Sequence, residues 1–159
     1  MILLVDIGNT RVKWATQADG RLSPQRAAGY AQWSAVDWQH HLFDGPPVER
    51  VLAATVAGGD SRQALEAAAR MAGVSRVDFV TSTAALAGVR NAYPDAGLLG
   101  VDRWVAVIGA YHLAQAACCV VDVGTAATLD AVDASGQHLG GFIVPGPQLM
   151  VRSLHAGTN

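Results

Sequence analysis

The chain reads as an α/β protein, a mixed β-sheet flanked by helices whose founding unit begins a second time near the end of the sequence. Three observations predict this. Three apolar strand-length runs come first, and helical and strand patterns then alternate, in the order β-β-β-α-β-α-β-α. A strand ending in Asp-x-Gly occurs twice, within Leu3-Leu4-Val5-Asp6-Ile7-Gly8-Asn9-Thr10 and within Val120-Val121-Asp122-Val123-Gly124-Thr125. Each copy passes through small or polar residues into another apolar strand, so each reads as a hairpin and the pair as an internal duplication. The duplication divides the chain into a nearly whole first domain, 1–117, and the beginning of a second, 118–159.

Residues 1–7 are nearly all apolar, as in a strand covered on both faces. Residues 11–16 supply its hairpin partner, Asp19-Gly20 a turn, and 22–28 a third strand. A helix is expected over 31–42, with Trp33, Val36 and His40 on one face, stopped by Gly45-Pro46-Pro47. A strand over 48–55 follows, then an Ala-rich helix over 62–72 entered through Asp60-Ser61 and closed by Gly73. A strand over 76–80 and a turn-rich loop over 91–100 lead to a helix over 101–117, with Val101, Val105, Ile108 and His112 on one stripe. The restart then gives strands over 118–123, 128–132 and 139–144, and a helix from Gly146 or Pro147.

Composition narrows the function classes. The chain has 159 residues, a formal net charge of −2 and 15% charged residues. Lys and Arg are scattered, which excludes the basic stripe of a nucleic-acid binder. Mean hydropathy is +0.24, so an apolar oligomer contact or an unfinished fold is expected. No apolar run reaches the length of a membrane helix. Met1–Val5 runs straight into Asp6 without a basic segment, so no secretion signal is expected. Cys118 and Cys119 are adjacent inside an apolar strand, and read as small buried hydrophobes of a reducing cytoplasm.

The two Asp-x-Gly turns are the chemical signal. Each brings an acid, hydroxyls and backbone N–H groups to a strand end, a set suited to phosphate and a bound cation. An Asp in a turn is by itself only a turn former. Asp102 has a similarly plain reading, an acid complementing a helix start. Arg103 does not, because a cation there is unfavourable. His40-His41 lacks a spaced third ligand, Trp33 and Trp38 read as packing, and Ser82, Thr83 and Ser153 lack a histidine–acid constellation.

Four motifs in order make the chain resemble the type III pantothenate kinases, of the superfamily that holds acetate kinase, sugar kinases, heat-shock chaperones and actin. They are Asp6-Ile7-Gly8-Asn9-Thr10-Arg11-x-Lys13, Leu99-Gly100-Val101-Asp102-Arg103-Trp104, Asp122-Val123-Gly124-Thr125-Ala126-x-Thr128 and Gly140-Gly141-Phe142-Ile143-x-Pro145-Gly146. The resemblance implies an actin-like, ribonuclease H-like fold with the second domain truncated, since the family's chains are longer by about a half-domain. It implies ATP-dependent phosphorylation of pantothenate to 4′-phosphopantothenate, the first step of coenzyme A synthesis, in a cytoplasmic homodimer. An inactive truncated homologue and a non-enzymatic accessory regulatory factor are the alternatives.

Carried over position by position, Asp6, Ile7, Gly8, Asn9, Thr10, Arg11, Val12 and Lys13 form the first ATP phosphate loop. Asp6 would hold Mg²⁺ through water, because this ion dehydrates reluctantly. Thr125 would contact ATP phosphate, and Asp122 would bind a monovalent cation, K⁺ or ammonium. Gly100, Val101, Asp102 and Arg103 would bind pantothenate, with Asp102 as general base for its primary hydroxyl. Arg103 suits either the substrate carboxylate or developing phosphoryl charge. Tyr93 either lines the substrate pocket or anchors its loop. Gly140, Gly141 and Gly146 either approach the nucleotide or are plain turn glycines.

Overall fold

The computed structural model describes residues 1–157. Packing divides the chain into two compact units, one spanning Met1–Thr81 and one from Ser82 onward.

The first unit contains β1 (Ile2–Ile7), β2 (Arg11–Ala18), β3 (Arg21–Leu22), β4 (Arg26–Gly29), α1 (Ala35–Phe43), β5 (Arg50–Thr55), α2 (Gly59–Met71) and β6 (Val77–Phe79). Its sheet runs β3-β2-β1-β5-β6, with β4 also on β2. β1 is antiparallel to β2 and parallel to β5, and β5 is parallel to β6. Parallel neighbours need a crossover, and α1 and α2 lie in those connections. β1 alternates: Leu3, Val5 and Ile7 are buried in one cluster with Trp38 and Leu42 of α1 and Leu65, Ala68 and Ala69 of α2. Its other face is only half-buried, so the expected double cover is partial.

Three local differences have physical causes. The single strand expected over 22–28 is two short pieces, because Pro24 lacks an N–H for the ladder. Ser23 bridges the break, its hydroxyl accepting from Thr16 N–H at 2.9 Å and its N–H donating to Thr16 O at 2.9 Å. α1 begins at Ala35, later than expected, because Ser34 caps it: Asp37 N–H donates to the Ser34 hydroxyl, and Ser34 N–H donates to the Asp37 carboxylate. The buried face of α1 is therefore Trp38 and Leu42, and Val36 is 61% exposed. Trp33 precedes the helix, stacks on His41 with centroids 4.3 Å apart and meets Trp38 edge-on at 5.2 Å. Both tryptophans are packing groups, as expected.

The second unit contains β7 (Ala85–Leu86), β8 (Val89–Arg90), a 3-10 turn at Ala96–Leu98, α3 (Val101–Ala114), β9 (Cys118–Val123), β10 (Ala126–Val132), β11 (His138–Pro145) and α4 (Pro147–Gly157). The sheet β11-β10-β9 is antiparallel throughout. α3 packs on β9 and β10. Packing therefore groups α3 with the second sheet, whereas the 117/118 boundary marks where the Asp-x-Gly pattern restarts.

α3 ends at Ala114, three residues before expectation, because Gln115 turns left-handed (φ 52°). Its buried residues are Arg103, Trp104 and Val107, not the expected Val101, Val105, Ile108 and His112 stripe. Trp104 is fully buried with Val89, Leu99, Val107 and Val132, and Ile108 is only partly buried at the edge of that cluster. The largest side chain takes the centre and turns the helix accordingly. Only one sheet face is covered: Cys118, Val120 and Val132 pack towards α3. The other face is open, with Val121 62%, Val123 61% and Phe142 55% exposed. Cys119 is also exposed and Cys118 only half-buried, so the expectation of two buried thiols is corrected.

Candidate functional site

The 6–13 segment is a strand end, a tight turn and a returning strand. Asp6 and Lys13 are register partners, which brings Lys13 Nζ to 3.6 Å from Asp6 Oδ2. Both side chains are about two-fifths exposed, so the pair adds little stability and both heads stay reachable from solvent. Ile7 and Val12 are fully buried and pin the two ends of the turn to the core, leaving only their backbone for a ligand. Asn9, Thr10 and Arg11 are exposed between them. The turn closes through Gly8 N–H to Arg11 O at 3.0 Å, and the Tyr30 hydroxyl donates to Gly8 O at 2.6 Å.

Asp122 lies at the end of β9, opposite Thr128, exposed and without a hydrogen-bond or ion-pair partner among the described residues. Thr125 is exposed in the turn that follows. Gly124 N–H donates to Ala126 O at 2.8 Å, the counterpart of the Gly8 bond. Gly8 and Gly124 share a further property. Neither has a left-handed backbone, and an added Cβ would meet nothing nearer than 3.4 Å at Gly8 and 3.8 Å at Gly124. The local fold does not demand glycine at either turn, and both leave the backbone bare.

The substrate motif sits at the start of α3. Gly100 is the N-cap, and Asp102 folds back so that Oδ1 accepts Arg103 N–H at 2.8 Å. A Cβ on Gly100 would stand 2.7 Å from that oxygen, so glycine makes room for the carboxylate. Asp102 Oδ2 has no partner among the described residues.

Arg103 is 7% exposed and forks onto Asp130, with Nε to Oδ2 at 2.8 Å and Nη2 to Oδ1 at 2.7 Å. Asp130 comes from the middle of β10 and is 2% exposed. Its carboxylate raises the Arg103 pKa above the usual guanidinium value, against the opposing effect of burial. His138, fully buried at the start of β11, approaches Asp130 Oδ1 through Nε2 at 2.9 Å. A Cβ on Gly141 would collide with the Asp130 carboxylate and stand 2.7 Å from Arg103 Nη2, so Gly141 clears space for the pair. Tyr93 is half-buried, its ring stacked on His138 at 6.2 Å and 22°.

The second unit thus gathers Tyr93, Gly100, Val101, Asp102 and Arg103 around one buried ion pair, while Asp122 and Thr125 stand at the end of its sheet. Asp6 through Lys13 belong to the first unit. Sequence reasoning missed Asp130 and His138. The available signal was a carboxylate in the middle of the apolar run Thr128-Leu129-Asp130-Ala131-Val132. No group of three or more His, Cys, Asp or Glu side chains able to hold a metal occurs among the described residues. A pocket of about 140 Å³ in the first unit, between Trp14, Arg26, Phe43 and Pro46, contains none of the candidate residues.

The family model for type III pantothenate kinase matches residues 2–159. The chain belongs to the type III pantothenate kinase family. It is 43% identical over 158 residues to the type III pantothenate kinase of Aromatoleum aromaticum, covering 99% of this chain and 64% of that relative. The chain therefore spans a little under two thirds of the length of such a relative. Among solved structures it resembles a conserved Baf-family protein from Campylobacter jejuni, with a TM-score of 0.56 and 21% identity over 98% of this chain and 60% of that one. It also resembles the ethanolamine utilization protein EutJ from Carboxydothermus hydrogenoformans, with a TM-score of 0.52 and 15% identity over 97% of this chain and 56% of that one. At these identities the likenesses speak for the fold alone. The fold is actin-like, as the motifs implied.

Proposed function

We propose that this chain carries the nucleotide and substrate machinery of a pantothenate kinase, which transfers the γ-phosphoryl group of ATP to the primary hydroxyl of pantothenate. The product is 4′-phosphopantothenate, and the reaction opens coenzyme A synthesis. The observation that carries the reading is the match of the whole segment 2–159 to the family, with Asp102 in the first turn of α3.

In this reading Asp102 Oδ2 accepts the hydroxyl proton while Arg103 N–H holds Oδ1 and fixes the carboxylate plane. The alcohol oxygen bonds to the γ-phosphorus, and the bond to the ADP oxygen breaks. Positioning and charge stabilisation carry most of such a reaction, so a carboxylate suffices as base. By the family motif Asn9, Thr10 and Lys13 would contact phosphate oxygens, with Arg11 in the same ATP-binding segment, and Thr125 would offer its hydroxyl and N–H to ATP phosphate. Bare backbone at Gly8 and Gly124 supports close approach of phosphate at both.

A metal held by a full protein cage finds no support among the described residues. A Mg²⁺ that keeps its waters and leans on one carboxylate and the phosphates fits Asp6, whose carboxylate is partly exposed. Asp122, whose side chain is exposed and has no partner among the described residues, fits a K⁺ or ammonium ion. When bound, these cations would neutralise phosphate charge. A homodimer with the substrate near the subunit contact, in the cytoplasm, completes the reading. No helix among the described residues is long and apolar enough to cross a membrane.

The test is ADP release by the purified chain with Mg·ATP and pantothenate, run beside the Aromatoleum aromaticum relative. Release that depends on pantothenate is expected. Neither turnover nor ATP binding by this chain, with the relative active, overturns the proposal.

A further inference from the structure

We infer that His138 and Asp130 are positioning residues that hold Tyr93 and Arg103 at a fixed spacing for the substrate. The inference rests on the reading of those two as pantothenate contacts. Three separate segments meet here: the loop carrying Ala92 and Tyr93, the first turn of α3, and the hairpin of β10 and β11.

His138 is the bridge between them. Ala92 N–H donates to Nδ1 at 3.4 Å. A backbone N–H can only donate, so Nδ1 is the bare nitrogen and Nε2 carries the proton. Nε2–H then donates to Asp130 Oδ1 at 2.9 Å, and Asp130 in turn takes both arms of the Arg103 fork. Tyr93, one residue beyond Ala92, holds its ring within 22° of parallel to the same imidazole, with centroids 6.2 Å apart. The imidazole therefore ties the tyrosine loop to the carboxylate that aims the arginine, beside Tyr93's own side-chain contact with Arg103.

Stability alone is a poor reason for such a cluster. Desolvating an ion pair offsets most of its attraction, and apolar residues of similar volume serve a core as well. What a saturated polar network adds is a single geometry. Asp130 fixes the plane of the guanidinium, and His138 transmits that placement to the loop. Removing only the imidazole nitrogens leaves the Arg103–Asp130 pair in place and frees the backbone at Ala92, with Tyr93's contact to Arg103 as the loop's remaining tie.

The experiment compares His138→Phe, which keeps a flat ring for Tyr93, with His138→Gln, which keeps a donor towards Asp130. Steady-state kinetics are read for both substrates. Loss of the two hydrogen bonds is expected to raise KM for pantothenate about tenfold and to leave KM for ATP within about twofold. His138→Gln should recover most of the difference. Parallel rises in both KM values, or no rise, would overturn the inference. Ala92→Pro removes the N–H donor, and also fixes φ there and restricts Asn91; it should move the pantothenate KM in the same direction if His138→Phe does not fold. If the unmodified chain neither turns over pantothenate nor binds ATP while the relative is active, the proposed function fails by itself, and without turnover the kinetic comparison gives way to hydrogen exchange. Amide exchange at Ala92 and exchange of Arg103 Nε–H then decide the network. Faster exchange at Ala92 in His138→Phe, with Arg103 Nε–H still protected, upholds the bridge, and unchanged exchange at Ala92 overturns it.

Discussion

Asp102 and Arg103 are neighbours with opposite fates. Asp102 keeps one carboxylate oxygen without a partner among the described residues, whereas Arg103 is sunk against Asp130. Asp102→Asn should lower kcat by about 10² to 10⁴, the usual worth of a positioned base, with ATP affinity nearly unchanged in a binding titration. An equal loss of ATP binding would put Asp102 beside the phosphates instead. Asp130→Ala should be a stability variant as well. It strands a buried guanidinium, at a cost of about 3–5 kcal/mol readable from the denaturant midpoint. The contrast shows what one-dimensional reading reaches. Asp6 and Lys13 were legible as members of one hairpin turn, and the hairpin register makes them partners. In the sequence Arg103 is electrostatically misplaced at a helix start, a mismatch that points to function. Its partner is 27 residues away in sequence, and the pair supplies an ordinary structural reason for the cation. Long-range partners of this kind leave no local pattern.

At the scale of the element, caps and turns decide what hydrophobic periodicity leaves open. Ser34 fixes where α1 begins, and Ser34→Ala should lower stability by about 1 kcal/mol in a denaturant titration. It should also change the acid response. The Ser34 hydroxyl and N–H donate to Asp37 at 2.6 and 2.7 Å and hold its carboxyl below the usual range. A depressed carboxyl contributes stability that is full above its unfolded pKa of about 3.9 and disappears as pH falls through the lower folded value. Thermal melts across that acid window should therefore be less pH-dependent in Ser34→Ala than in the parent. Most strands and helices were readable from the sequence, with edges displaced where a cap acted at a distance from the apolar run. The hairpin of β7 and β8 was not readable. Its strands are two residues each, too short to show alternation, and only the left-handed pair Ala87-Gly88 marks it. The α3 stripe was misjudged because a single tryptophan outweighs several valines in choosing the buried side.

For the whole molecule, the actin-like fold and the family were legible because four motifs recur in order along the entire chain. The cation assignment can be tested at this scale, since it concerns the response of turnover to the medium. Asp122→Ala should abolish any stimulation by K⁺ over Na⁺ while leaving the fold intact by circular dichroism. A retained K⁺ response would remove Asp122 from that role.

The second sheet has a more practical consequence. Among the described residues β9 and β11 each lack an outer neighbour in their sheet, and both border an exposed face of valine and phenylalanine. Such borders invite strand addition by sister molecules. Produced alone at high concentration, the chain should collect in inclusion bodies. Threonine at positions 121, 123 and 142 should shift it into the clear supernatant.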